Sequence, residues 1–190
     1  MSDLDEYLKR NLQYEKLTAA LEKAINFYGP YIKTSLVENQ CNLLLSDKQK
    51  RKRAGEFYPL SCEIHLYNVR ENLNNETLEC IYVHELAHFL DRLRKPSFSR
   101  YRYASSSRSS KERAIITLFR SKMVPFPEKR TNYRGRTCEL FARSIEEFYA
   151  IKTDNSNWIE KHQNWDYYVN ISEFKKTIYP VVDDYLKSLK

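Results

Sequence analysis

Glycine is scarce in this chain, and the scarcity excludes whole classes of function. Among 190 residues there are three, Gly29, Gly55 and Gly135, each far from the others. A Walker A loop and a GxGxxG dinucleotide fingerprint need several glycines close together, so neither is present. Cysteine is sparse as well. Cys41, Cys62, Cys80 and Cys138 form no CxxC pair and no dense framework. The expectation is reduced, mostly buried thiols in an intracellular protein. No run of about 18 apolar residues occurs, so no transmembrane helix is expected. The first residues, Met1 to Glu6, are acidic and offer no apolar h-region. No secretory signal and a cytoplasmic location are therefore expected. The length also falls short of the about 250 residues usual for a full (β/α)8 barrel.

What is present reads as one globular domain over 1–190. Hydrophobic residues make up 42% of the chain, which argues against disorder, and the formal net charge is +7. Positive charge gathers in two places. Segment 48–53 holds five Lys/Arg and no acid, and segment 92–136 holds fourteen Lys/Arg against Glu112 and Glu128. The rest of the chain is net acidic. Such segments attract an acidic protein substrate or nucleic acid, with Lys50, Arg51, Lys52 and Arg53 as the polyanion-binding candidates. Tyr101 and Tyr103 interleave with Arg100 and Arg102, which suits base stacking. The plainer alternative is a solvated hairpin tip and a basic loop.

Hydrophobic spacing sets out the elements. Leu4, Leu8, Leu12, Leu17, Leu21, Ile25 and Tyr28 predict a helix over 3–28, ended by Gly29-Pro30. Leu43-Leu44-Leu45 reads as a buried strand, and Glu56-Phe57-Tyr58 as a second. Residues 62–69 alternate with period two, with Cys62, Ile64 and Leu66 on one face, and predict a half-buried strand at a sheet edge. A helix follows from Glu76 to about Arg94, with Leu78, Tyr82, Leu86, Phe89, Leu90 and Leu93 as its apolar face. Further helices are predicted over 111–123, over 137–152 and near 180–189.

The chemistry lies in the second helix. His84-Glu85-Leu86-Ala87-His88 is an HExxH motif. Imidazoles at i and i+4 share one helix face, so both can bind one Zn²⁺ at about 2.0–2.1 Å. Glu85 is rotated about 100° off that stripe, free to take a proton from water on the metal. A catalytic site needs a third protein ligand. The extension HExxHxxGxxH is absent, because position 91 is Asp and position 94 is Arg. Cys80 and His88 are eight residues apart, about 12 Å along the axis, too far for a shared ion. His65 and His162 read as structural. Glu139 is the better candidate, at the start of a helix on which Leu140, Phe141, Ile145 and Phe148 pack inward and Glu139, Arg143 and Glu146 form a polar stripe. Asp91 can bond a ligand imidazole, Arg143 can pair with Glu139 or Glu146 or meet a substrate carbonyl, and Tyr133 can donate to an oxyanion.

The run from His84 to Asp91, followed by Tyr133 and then Thr137-Cys138-Glu139-Leu140-Phe141-Ala142-Arg143, resembles small gluzincin-type metallopeptidase domains. It is most similar to the zincin-like domain of large polyvalent phage and mobile-element proteins. Residues 54–66 also resemble the hairpin and edge strand of SprT-like and ImmA/IrrE-like minimal zincins. The resemblance covers about residues 54–150 and implies that Glu139 is the third zinc ligand beside His84 and His88. The expected architecture is an α+β zincin-like fold: a covering N-terminal helix over 1–30, a small twisted sheet, the HExxH helix, a glutamate helix, and helical cover over 153–190. The expected function is zinc-dependent hydrolysis of a peptide bond in a protein substrate, with Zn²⁺ as cofactor, Glu85 catalytic and no membrane partner. The alternatives are a nucleic-acid-associated protease of SprT-like type and a silent zincin scaffold that sequesters a partner.

Overall fold

Gly29 and Pro30 stop the first helix where the hydrophobic spacing predicts. In the computed structural model of the chain, α1 spans Asp3–Tyr28. The Gly29 N–H closes on the Ile25 carbonyl at 3.1 Å. The structure describes residues 3–46, 54–67, 75–94, 103–107, 110–124, 136–155, 158–159 and 168–189. Lys50, Arg51, Lys52, Arg53, Tyr133 and His162 lie outside the described residues, as do Arg100, Tyr101 and Arg102.

A short helix α2 (Thr34–Gln40) leads into a three-stranded sheet of β1 (Asn42–Ser46), β2 (Gly55–Tyr58) and β3 (Glu63–Tyr67). The spatial order is β1-β3-β2, with β1 parallel and β2 antiparallel to β3. The alternation read in the sequence is real: Ile64 and Leu66 are fully buried. Two expectations change. Residues 63–67 form the central strand and not an edge, because β1 runs alongside them in parallel. Parallel pairing brings together segments separated in the chain, which local periodicity does not encode. Leu44 and Leu45 are 45% and 44% exposed, so β1 is not a buried strand. Only Leu43 of the three packs against the core, as suits a strand on the sheet border.

Helix α3 (Asn75–Leu93) is the core of the fold. Its α1-facing side, its α5-facing side and its sheet-facing side are all covered. Leu78, Cys80, Ile81, Tyr82, Val83, Leu86, Ala87, Phe89 and Leu90 are buried, and so are Glu79, Glu85, His88 and Asp91, so the helix is buried almost all round, as an interior helix is. Leu93, in the last turn, is 38% exposed and leaves the predicted apolar face. After a 3₁₀ turn at Ala104–Ser106, Ser110 caps α4 (Lys111–Lys122) by accepting the Arg113 N–H at 3.0 Å. β4 (Met123–Val124) pairs antiparallel with β5 (Tyr168–Val169).

Helix α5 (Thr137–Lys152) packs along α3. In the tail the helix expected near 180–189 is preceded by further helical residues from Ile171, within the helical cover expected over 153–190. The tail runs through α6 (Ile171–Glu173), a π-helical segment at Phe174–Ile178, and α7 (Tyr179–Lys187). Pro180 at the start of α7 has no N–H, so the normal helical ladder is interrupted there, and the π segment precedes it. Phe174, Ile178, Val182 and Leu186, spaced four apart, keep one buried stripe through the irregularity. The architecture is α+β. Among the described residues no helix is long and apolar enough to cross a membrane.

Candidate metal centre

Helices α3 and α5 pack side by side, and the polar residues of both meet at the contact. His84 and His88 come from α3, one turn apart, with ring centroids 4.9 Å from each other. Glu139 comes from the first turn of α5 and lies between them. Its Oε2 is 3.5 Å from His84 Nε2, and its Oε1 is 3.3 Å from His88 Nε2. One donor atom from each of the three residues lies within 4.8 Å of the others. Tetrahedral ligands at about 2.0–2.1 Å from one ion stand about 3.3–3.4 Å from each other. Each imidazole is near that distance from one of the two Glu139 oxygens, so small adjustments bring three donors onto one ion, and two imidazoles with one carboxylate are a donor set that zinc accepts.

The electrostatics agree with the geometry. Burial disfavours a charged His84, but the Glu146 and Glu139 carboxylates outweigh it and push the imidazole up to about 10. Burial would raise Glu139 too, yet the hydrogen bonds from His84 and His88 hold it well below the usual carboxylate range. Without a cation between them, a proton on His84 supplies the positive charge that the Glu146 and Glu139 carboxylates favour.

Glu146, expected on the polar stripe of α5 as a partner open to Arg143, instead holds a ligand candidate. His84 donates its Nδ1–H to Glu146 Oε2 at 2.9 Å. That bond orients the ring so that Nε2 is the atom turned toward Glu139, the nitrogen that would carry the lone pair once its proton is lost. The available signal was the seven-residue spacing of Glu139 and Glu146, two turns on one helix face. Glu85 is 6% exposed, and burial raises its carboxyl, opposed by His84 and His88.

The remaining candidates fall in different places. Asp91 is fully buried and its Oδ1 accepts the Ser105 N–H at 2.7 Å. Burial, opposed by that bond, pushes its carboxyl up to about 6. Asp91 Oδ2 and His88 Nδ1 are both buried without a hydrogen-bond partner among the described residues, so the expected bond from Asp91 to a ligand imidazole is not made. The backbone of the Ala104–Ser106 turn holds the carboxylate instead. Arg143 bears on Glu147, one turn further along α5. Cys80 is fully buried and accepts from Asn155 Nδ2 at 3.5 Å, which makes it a packing residue, as expected. His65 lies on the sheet face away from α3, beside Glu63 at 3.3 Å, and takes no part in the centre. Tyr103 enters unforeseen. Its ring is 6.1 Å from that of His88, and burial with the nearby Cys138, Asp91, Glu139 and Glu85 groups raises its phenol.

Set against family models, curated proteins and solved structures, the chain matches none.

Proposed function

We propose that the chain is a gluzincin-type zinc peptidase that hydrolyses a peptide bond in a protein substrate. The observation that carries this reading is the convergence of His84, His88 and Glu139 on one point, with Glu85 buried beside it. His84 Nε2, His88 Nε2 and a Glu139 oxygen would hold the ion, and Glu146 orients His84. Zn²⁺, when bound there, supplies Lewis-acid polarisation of a carbonyl and acidifies water. Glu85 takes the proton of the attacking water at its carboxylate and later gives it to the leaving amine nitrogen. Its low exposure and its carboxyl, raised by burial against the opposing pull of His84 and His88, suit a group that must both accept and return a proton. Tyr103, protonated at neutral pH, is a hydroxyl donor for charge developing on the substrate oxygen.

The substrate would be an extended segment added to the sheet border. Among the described residues β2 has β3 on one side only, and its Gly55 lies against Glu85, so β2 and not β3 is the strand for such pairing. The fourteen basic residues of 92–136 favour an acidic protein as partner.

The test is Glu85→Gln, which keeps the shape and removes the base. It should retain zinc and the fold and lose hydrolysis by about 10²–10⁴-fold, the usual worth of a general base. Cleaved partners are identified by comparing the proteomes of cells carrying the wild type and the variant. A variant that holds zinc and cleaves at the wild-type rate would contradict the mechanism. A variant that keeps the full biological effect without cleavage would make the fold a scaffold.

A further inference from the structure

Gly55 opens β2 and pairs with Leu66 of β3. Its backbone is not in the left-handed region, so glycine is not required there by dihedral angles. It is required by proximity. A Cβ built on Gly55 would stand 2.8 Å from Glu85 Oε1, 2.9 Å from Glu85 Cγ and 2.9 Å from Ile81 Cγ2. Ile81 and Glu85 are one turn apart on α3, so the bare Cα sits against the ridge they form. The strand cannot easily retreat. Gly55 is in register with Leu66, which is fully buried, and the adjacent Ala54 carbonyl accepts the Tyr67 N–H at 2.8 Å. Any side chain at position 55 must therefore displace the Glu85 carboxylate or Ile81. An isolated glycine in a strand commonly marks such a close approach.

We propose that Gly55 is a positioning residue: its Cα is the wall against which the Glu85 carboxylate is set relative to His84 and His88. The proposal rests on the reading of Glu85 as the general base. Alanine at 55 pushes the carboxylate away from the sheet and leaves His84 and His88, about 100° and 60° round α3 from Glu85, and Glu139 on α5 where they are. Displacement of a reacting group by about 1 Å can cost about 10²-fold in rate.

Three readouts test it. The first is a double-mutant cycle on thermal unfolding of the metal-free protein. Gly55→Ala should lower Tm by several degrees in the wild type and by clearly less in Glu85→Ala, where both contacts with Glu85 are gone and only that with Ile81 Cγ2 remains. Equal losses in both backgrounds would show that Gly55 and Glu85 are uncoupled and would overturn the proposal. The second is the visible spectrum of the cobalt(II)-loaded protein. Gly55→Ala should bind cobalt within about threefold of wild type, while its bands move in the direction seen for Glu85→Gln, because the carboxylate beside the ion has shifted. A wild-type spectrum in Gly55→Ala would overturn it. The third is hydrolysis of casein as a probe substrate, where kcat should fall about 10–100-fold with KM little changed. An unchanged kcat would overturn the proposal and leave the peptidase reading standing. If the wild type cleaves no casein, that reading weakens, and the cobalt spectrum still decides whether Gly55 sets Glu85.

Discussion

Helix α3 carries two buried polar clusters, and they are completed in opposite ways. Around Glu79, the carboxylate meets Lys23 Nζ of α1 at 2.9 Å and accepts the Tyr149 hydroxyl of α5 at 2.8 Å. A cation and a donor satisfy it, and nothing further is needed. Around His84 and His88, five and nine residues on, the partners are the carboxylates Glu139 and Glu146. Every group there is a Lewis base, or becomes one on losing a proton. The first cluster ties α1, α3 and α5 together. The second is built from the same two helices, α3 and α5, but has the composition of a ligand set. Burying polar groups at a helix contact is thus not itself a sign of function. What separates the clusters is whether the protein supplies the positive charge.

That contrast predicts how the two respond to substitution. The largest effect belongs to the ligands: His84→Ala or His88→Ala should abolish zinc retention, read by elemental analysis of the purified protein. Glu146→Gln should cost about 10–100-fold in zinc affinity, the usual weight of an outer hydrogen-bond partner, read by competition with a chromophoric chelator. Tyr149→Phe in the other cluster should leave zinc binding unchanged and lower stability by about 1.5–3 kcal/mol, the worth of a hydrogen bond to a charged group, read by urea unfolding. A fall in zinc affinity on Tyr149→Phe would erase the distinction.

The last effect is on stability alone and concerns Glu147, next to Glu146 on α5. Burial, with the Glu146 charge adding to it and Arg143 opposing, raises Glu147 from 4.5 to about 8. Between those values the fold keeps a proton that the unfolded chain has released. Stability from this group is therefore complete below about pH 4.5 and is lost as the pH climbs towards 8. Glu147→Gln should flatten the decline in unfolding free energy across that window, measured by denaturant titration at several pH values.

The helices were legible because their signals are local. Gly29-Pro30 marks an end, and Thr137–Lys152 falls where the 3.6-residue period puts it. The pairing of His84 with His88 was legible because it is carried by residue type and spacing, whereas Glu139 as their third partner came from the resemblance, since 51 residues separate it from His88. Glu146 was not legible, since a carboxylate on a helix stripe reads as a surface ladder until another helix covers it. The role of Gly55 was hidden for a related reason: what a missing Cβ makes room for depends on Ile81 and Glu85, 26 and 30 residues away. The central position of β3 and the exposure of Leu44 and Leu45 depend on a parallel pairing across a crossover, which no local pattern encodes. Tyr133 and Tyr103 show the same limit. Both are tyrosines outside the predicted helices and strands, and only the packing of the 3₁₀ turn at Ala104–Ser106 brings Tyr103 beside His88, while Tyr133 lies outside the described residues.

The central claim is that His84, His88 and Glu139 hold a catalytic metal, and zinc titration of the metal-free wild type beside Glu139→Ala tests it most directly. The account predicts one tightly bound zinc per wild-type chain and a strong loss of affinity in Glu139→Ala, with the fold retained by circular dichroism. Wild-type affinity in Glu139→Ala, or no zinc bound by the wild type, would contradict it.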